Sequence, residues 1–145
     1  MTENAYLKDN YAPVPDEVTA TDLPVKGEIP EALNGRLLRI GPNPVSEPGP
    51  RHNWFVGNGL VHGLWLREGK ALQYRSRFIR DDEVCEVRGW PPTPGPRYSE
   101  IGGGGANTNV IAHAGRTFAI VEAGGNPVEL SEDLETLTRS DFQGT

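Results

Sequence analysis

Phe55-Val56-Gly57-Asn58-Gly59-Leu60-Val61-His62 is the stretch on which the fold turns. Two apolar, strand-prone runs flank Gly-Asn-Gly. Those three residue types accept a positive φ where bulkier residues are strained, so the stretch reads as a tight hairpin. Past it, Leu60, His62, Leu64 and Leu66 alternate with Val61 and Trp65, the period of a strand with two different faces. Arg67-Glu68-Gly69-Lys70 is a second turn. Residues 71–80 form a third strand on which Leu72, Tyr74, Ser76 and Phe78 align. Residues 54–80 are therefore predicted to be an antiparallel meander.

Upstream, residues 1–27 are polar and punctuated by proline, an extended arm lying on a larger body. Residues 29–35 read as one helical turn, with Pro30 at its start and Gly35 ending it. Residues 36–40 form a strand that Gly41-Pro42-Asn43-Pro44 stops, because neither proline can donate to a ladder. Residues 45–53 are a loop. Downstream, residues 88–105 break the rhythm: Pro91-Pro92-Thr93-Pro94-Gly95-Pro96 is stiff, and the glycines at 102–105 are loose. Strands return at 107–112 and 117–122 around a turn at His113-Ala114-Gly115-Arg116. Residues 127–130 and a bend at 131–136 follow. Residues 139–145 start a further strand with no sign of a finished domain end.

The composition supports many short strands over long helices: 18 Gly and 13 Pro in 145 residues, with 36% hydrophobic. This pattern fits a sandwich, barrel or propeller, and each meander has the size of half to one propeller blade. Residues 1–145 are read as one partial domain: the arm at 1–27, then first strands and blades at 28–145. A formal charge of −6 argues against nucleic acid, which needs clustered Lys and Arg. The single Cys85 forms no intrachain disulfide and fits a reducing compartment. No basic-then-apolar start and no long apolar run is visible, so the chain reads as cytoplasmic, with association at a membrane surface left open.

Few residues stand out for chemistry. His52, His62 and His113 have no metal-ligand spacing. His62 reads as a packed, hydrogen-bonded histidine, His113 as a turn residue and His52 as a loop residue. Glu122 ends the apolar run Phe118-Ala119-Ile120-Val121. A carboxylate there either points into a cavity at the sheet end or marks the strand's exit into water, and the sequence alone favours the exit. Asp81, Asp82, Glu83 and Glu86 read as a solvated acidic edge. The glycines at 102–105 are not a phosphate loop, since no helix and no Lys-Ser/Thr follows.

Five segments, in order, resemble the carotenoid cleavage oxygenases. Residues 34–44, Asn-Gly-Arg through Gly-Pro-Asn-Pro, are similar to a strand of that family. Phe55 to His62 resembles its Phe-Asp-Gly-Asp-Gly-Met-Val-His segment. Phe78-Ile79-Arg80 resembles its Arg-Phe-Ile/Val-Arg strand. Ala106-Asn107-Thr108-Asn109-Val110-Ile111 with His113-Ala114-Gly115-Arg116 resembles its Asn-Thr-Asn-Val strand and turn. Glu122 with Gly124, Gly125 and Pro127 resembles its Glu-x-Gly-x-Pro segment. The resemblance implies an all-β fold, roughly the N-terminal third of a seven-bladed β-propeller. It implies a non-haem Fe(II) dioxygenase that cleaves an alkene C=C bond of carotenoids or apocarotenoids with O₂ into two carbonyl products. It also implies that four histidines hold the iron and that Glu122 orients one of them without touching metal. Those histidines are expected beyond Thr145, so the chain is expected to be a fragment that carries no metal ligand, binds no iron and turns nothing over alone.

Two departures bear on substrate. Val56 and Asn58 stand where the family usually has aspartates, so a carboxylate-dependent contact there is lost. Val121 stands where the stilbene-cleaving branch carries a lysine, which favours an apolar polyene. Residues 88–105 lie where relatives place a membrane-facing or tunnel-mouth segment; Trp90, Pro91, Pro92 and Tyr98 are candidates for peripheral membrane contact, against an ordinary surface loop. The rival readings are a stilbene-cleaving dioxygenase and a non-catalytic propeller that binds a ligand or partner.

Overall fold

The computed structural model describes residues 4–97, 105–122 and 124–144. Their strands form two four-stranded antiparallel sheets. In the first, β1 (Val18–Thr21), β2 (Gly35–Asn43), β3 (Asn58–Arg67) and β4 (Lys70–Phe78) lie in the order β1-β4-β3-β2. A short helix, α1 (Asp82–Arg88), connects to the second sheet. There β5 (Asn109–His113), β6 (Arg116–Ile120), β7 (Val128–Leu130) and β8 (Thr136–Arg139) run as a simple meander. Four strands per sheet is the size of a propeller blade.

The two-residue turns at Glu68-Gly69 and Ala114-Gly115 fall where the sequence places them. Both residues of each have positive φ, 48° and 73° in one and 48° and 74° in the other. That is the primed geometry whose twist matches a hairpin.

Gly57-Asn58-Gly59 is not a hairpin. Asn58 and Gly59 are the first residues of β3, paired with Asn43 and Pro42 of β2. Residues 44–57 make the connection. The glycine at 59 serves close approach: a Cβ there would lie 2.2 Å from the Ala106 carbonyl oxygen and 2.7 Å from Ile79 Cγ1. Asn58 is 5% exposed and acts as a hub. Its Oδ1 accepts from the Val45 N–H at 2.9 Å, and its amide donates to Asp81. Nor does Pro42 stop β2, which runs on to Asn43. β2 is an edge strand, where a residue without an N–H is tolerated.

The acidic run is a solvated edge only in part: Glu83 and Glu86 are exposed and Asp82 is half-buried. Asp81 is buried and caps α1, accepting from the Val84 N–H at 2.9 Å. Asp82 and Glu83 occupy the first turn, where the helix dipole favours them, and Gly89 closes the helix at φ 66°. Two further expectations change. Residues 29–35 contain only a turn closed by the Leu33 N–H on the Pro30 carbonyl. After β8 ends at Arg139, residues 142–144 turn and do not begin a strand.

The alternation read along β3 builds two cores. Val61 joins Ile79, Ala106, Ala119, Val128, Leu130 and Leu134 between the sheets. Leu60, on the opposite face, joins Phe78 and Val84 beneath Val14, Val45 and Trp90. Ionic contacts close the inter-sheet seam. Arg77 and Arg80 reach Glu135 at 2.8 and 2.6 Å, and Arg75 reaches Asp133 at 3.1 Å. The Arg80 N–H also donates to Thr136 Oγ1 at 3.1 Å.

The N-terminal arm contains two single-turn 3₁₀ helices, Ala5–Leu7 and Asp9–Tyr11, and strand β1. It is tied down by side chains. The Asn43 carboxamide takes the Val14 N–H at 2.7 Å and donates back to the Val14 carbonyl at 3.0 Å. Asn4 donates to the His52 carbonyl at 2.8 Å. Among the described residues, no helix is long and apolar enough to cross a membrane.

Candidate functional site

The arm, the free edge of β2 and the 44–57 loop enclose a cleft of about 690 Å³. Tyr6 and Tyr11 line it from the arm, Arg39 and Ile40 from β2, and Trp54 and Phe55 from the loop. Leu60 and His62 of β3 form part of its floor, and Asn107, Thr108 and Glu122 reach it from the second sheet. Trp54 and Phe55 stack at 3.9 Å between ring centroids.

Glu122 therefore does both things the sequence left open. It is exposed, and it lines the cleft. Its position follows from the end of the β5–β6 ladder. The Thr108 N–H bonds the Ile120 carbonyl at 3.1 Å, which brings the Thr108 hydroxyl against the carboxylate two residues further on. That hydroxyl donates to Glu122 Oε2. The bond holds the carboxyl below its ordinary value, with help from a backbone N–H. Asn107 fixes this corner to the first sheet by donating to the Gly57 carbonyl at 2.8 Å. The result is an ionised acceptor, held at the sheet end, able to receive an N–H from a group brought into the cleft.

His62 is the packed, hydrogen-bonded residue its strand face predicts. Its Nδ1 lies 2.7 Å from Tyr74 Oη. Burial, and then the neighbouring Arg39 charge, push its pKa down from 6.5, so the ring is neutral at physiological pH. His52 is a half-buried loop residue on the cleft wall, and His113 is exposed at the end of β5. His52 and His62 share the cleft, and His113 is not brought to it. Among the described residues, no three His, Cys, Asp or Glu side chains converge to hold a metal ion.

Asn58 also reads differently in three dimensions. Its amide donates to a buried carboxylate, Asp81, and to Glu83 at 3.0 Å. An aspartate could not make either contact. Cys85 is buried, with Sγ 3.7 Å from the Arg80 carbonyl. Trp90 packs on the Leu60 cluster beneath the Arg80 guanidinium, 4.7 Å from the ring centroid, and does not stand out as a membrane anchor. Tyr98 and the 102–104 glycines lie outside the described residues. Sequence reasoning missed Thr108 and Arg39 as cleft residues. Thr108 had a signal, since it sits inside the quoted Asn-Thr-Asn segment.

Comparison with known proteins agrees with this architecture. The model of the retinal pigment epithelial membrane protein family matches residues 11–145. A carotenoid cleavage oxygenase of Mycobacterium tuberculosis is 53% identical over 99% of this chain and 29% of its own length. A carotenoid 9,10(9',10')-cleavage dioxygenase of Crocus sativus is 34% identical over 94% and 30%. Among solved structures, the lignostilbene dioxygenase of Pseudomonas brassicacearum superposes with a TM-score of 0.80 at 25% identity, covering 99% of this chain and 32% of that one. A variant of the Synechocystis apocarotenoid oxygenase gives 0.73 at 26% identity, covering 91% and 31%. The chain thus spans about 30% of the length of these relatives, and its two sheets match the N-terminal part of the propeller structures. With 135 of its 145 residues inside the family match, the chain belongs to the retinal pigment epithelial membrane protein family, that of the carotenoid cleavage oxygenases.

Proposed function

We infer that this chain supplies the first blades of an enzyme that cleaves an alkene bond of a carotenoid or apocarotenoid with O₂, giving two carbonyl products. The observation that carries this reading is the 53% identity to the Mycobacterium carotenoid cleavage oxygenase along almost the whole chain. The cleft supports it, because the stacked and exposed Trp54 and Phe55 offer an apolar surface to a polyene.

The described residues do not form a site for iron. On this reading the Fe(II) ligands are histidines outside these 145 residues, and the chain alone neither holds iron nor turns over. What the chain contributes is Glu122. Its carboxylate, held by the Thr108 hydroxyl, accepts the outer N–H of an incoming histidine and so selects that ring's tautomer and orientation.

The test is product analysis on a protein that contains this chain and the remaining propeller. Incubation with an apocarotenoid and O₂ is expected to yield two carbonyl fragments. A second reading, stilbene cleavage, is favoured by the 0.80 TM-score to the lignostilbene dioxygenase. Val121 weighs against it, because an apolar side chain cannot pair with a substrate phenol. Cleavage of hydroxystilbenes and not of apocarotenoids would reverse the choice. Cleavage of neither would leave a binding propeller.

A further inference from the structure

Arg39 and His62 face each other directly across β2 and β3, and both line the cleft. Among the described residues the Arg39 guanidinium has no hydrogen-bond or ion-pair partner. Among the described residues Arg39 is also the one Lys or Arg that lines the cleft, and Glu122 the one carboxylate. The His62 ring is held at Nδ1 by Tyr74, and its other nitrogen has no protein partner among the described residues. When the Tyr74 hydroxyl donates to Nδ1, the ring carries its proton on Nε2 as a second donor.

The two charges sit at different stations along the cleft. Asn107, next to Thr108 and Glu122, docks on Gly57, beside the Asn43–Asn58 pair that ends the β2–β3 ladder. Arg39 is four residues back along β2, about 13 Å at the rise of a strand. The exposed aromatic side chains of Trp54 and Phe55 line the cleft with them.

We propose that Arg39, with His62 beside it, receives a carboxylate at one end of an elongated apolar ligand whose chain runs along the cleft toward Glu122. The guanidinium matches a carboxylate in charge and in fork geometry. The Trp54–Phe55 stack gives a polyene an apolar surface that a short polar acid would leave uncovered. The favoured ligand class is therefore an acid-ended polyene, and the salt contact sets how far along the chain the Glu122 end falls. This assignment rests on the polyene reading of the cleft.

The test uses retinoic acid and retinol as probes, two C20 polyenes that differ at the end group. Binding to a protein that contains this chain and the remaining propeller is read by quenching of tryptophan fluorescence at low and high salt. Retinoate is expected to bind about tenfold tighter than retinol, as a charge-assisted hydrogen bond allows, with the difference shrinking at high salt. Arg39→Gln brings retinoate affinity down to about that of retinol; Arg39→Lys keeps most of the preference. Arg39 is exposed and makes no structural bond, and far-UV circular dichroism confirms that each variant folds like the parent. Equal affinity for the two probes, or a preference that survives Arg39→Gln, overturns the end-group assignment and leaves polyene binding standing. Failure of both probes to bind the folded protein overturns both.

Discussion

The side-chain amide of Asn58 donates to both oxygens of the Asp81 carboxylate, at 3.2 and 3.0 Å, inside the protein. Four segments meet there: the start of β3, the 44–57 loop through Val45, the cap of α1, and Gly105, whose Cβ would lie 2.3 Å from Asp81 Oδ2. Asn58→Asp puts a third carboxylate against Asp81 and Glu83. We expect a loss of about 3 kcal/mol or more at pH 7, on the scale of an uncompensated buried charge. Urea titrations should show the loss shrinking toward acid pH, where one of the carboxyls holds a proton.

Asp81 itself gives a pH prediction. Burial, opposed by the Val84 N–H and the Asn58 amide, raises its pKa from 3.8, with Glu83 and Asp82 adding to the rise. The folded protein then binds a proton more tightly than the unfolded chain. The corresponding stability is complete below pH 3.8 and is lost as pH rises through the raised folded value. Asp81→Asn lacks this term. The stability of the parent relative to that variant should therefore fall with rising pH across this window, and a flat difference would contradict the assignment.

Two glycines of the first sheet should respond oppositely to alanine. At Gly59 the new methyl meets Ala106 backbone and Ile79, and overpacking costs about 1–3 kcal/mol or more. At Gly41 nothing lies within 4 Å of the added Cβ. Paired thermal melts of Gly59→Ala and Gly41→Ala should show a large drop only for the first.

Thr108→Val removes the hydroxyl that lowers the Glu122 pKa. Carbon-detected titration should show the Glu122 pKa moving back up toward 4.5. In a protein carrying the whole propeller, Glu122→Gln is expected to lower iron content or rate by about 10–100-fold. An unchanged rate and iron content would make Glu122 a strand end only.

Among the described residues, the outer edges of both sheets, β1, β2, β5 and β8, lack a strand partner on one side. Leu37, on the edge strand β2, is 64% exposed. Such edges and apolar faces make a chain marginal in isolation. A broad, weakly cooperative melt is expected for the 145-residue chain, and a sharp transition at high temperature would refute it.

The strands were legible because alternation reports burial on two faces, and Leu60 and Val61 do enter different cores. What misled was punctuation. Glycine signals both a positive φ and a missing Cβ, and sequence does not say which is in use. At Gly69 it is the dihedral; at Gly59 it is the space. The helix was overlooked for a similar reason. Asp81, Asp82 and Glu83 form a cap and first turn, but the same acids read as a solvated edge until Gly89 is recognised as the stop. Glu122 was visible as a residue type at a strand end. Its partner Thr108 lies 14 residues away and becomes adjacent only through the β5–β6 ladder.

The arginine seam has a consequence for the order of assembly. Every strand of the first sheet has been made once Phe78 leaves the ribosome, yet Arg80 waits 55 residues for Glu135. At ordinary elongation rates that delay is on the order of several seconds. Arg77 already has Glu17 at 3.8 Å, but Arg75 and Arg80 have no carboxylate partner until the Ser131–Glu135 bend arrives, so docking of the two sheets trails synthesis of the first. Nascent chains stalled before and after this bend should differ in protease resistance across the seam, and equal resistance would show that apolar contact alone joins the blades.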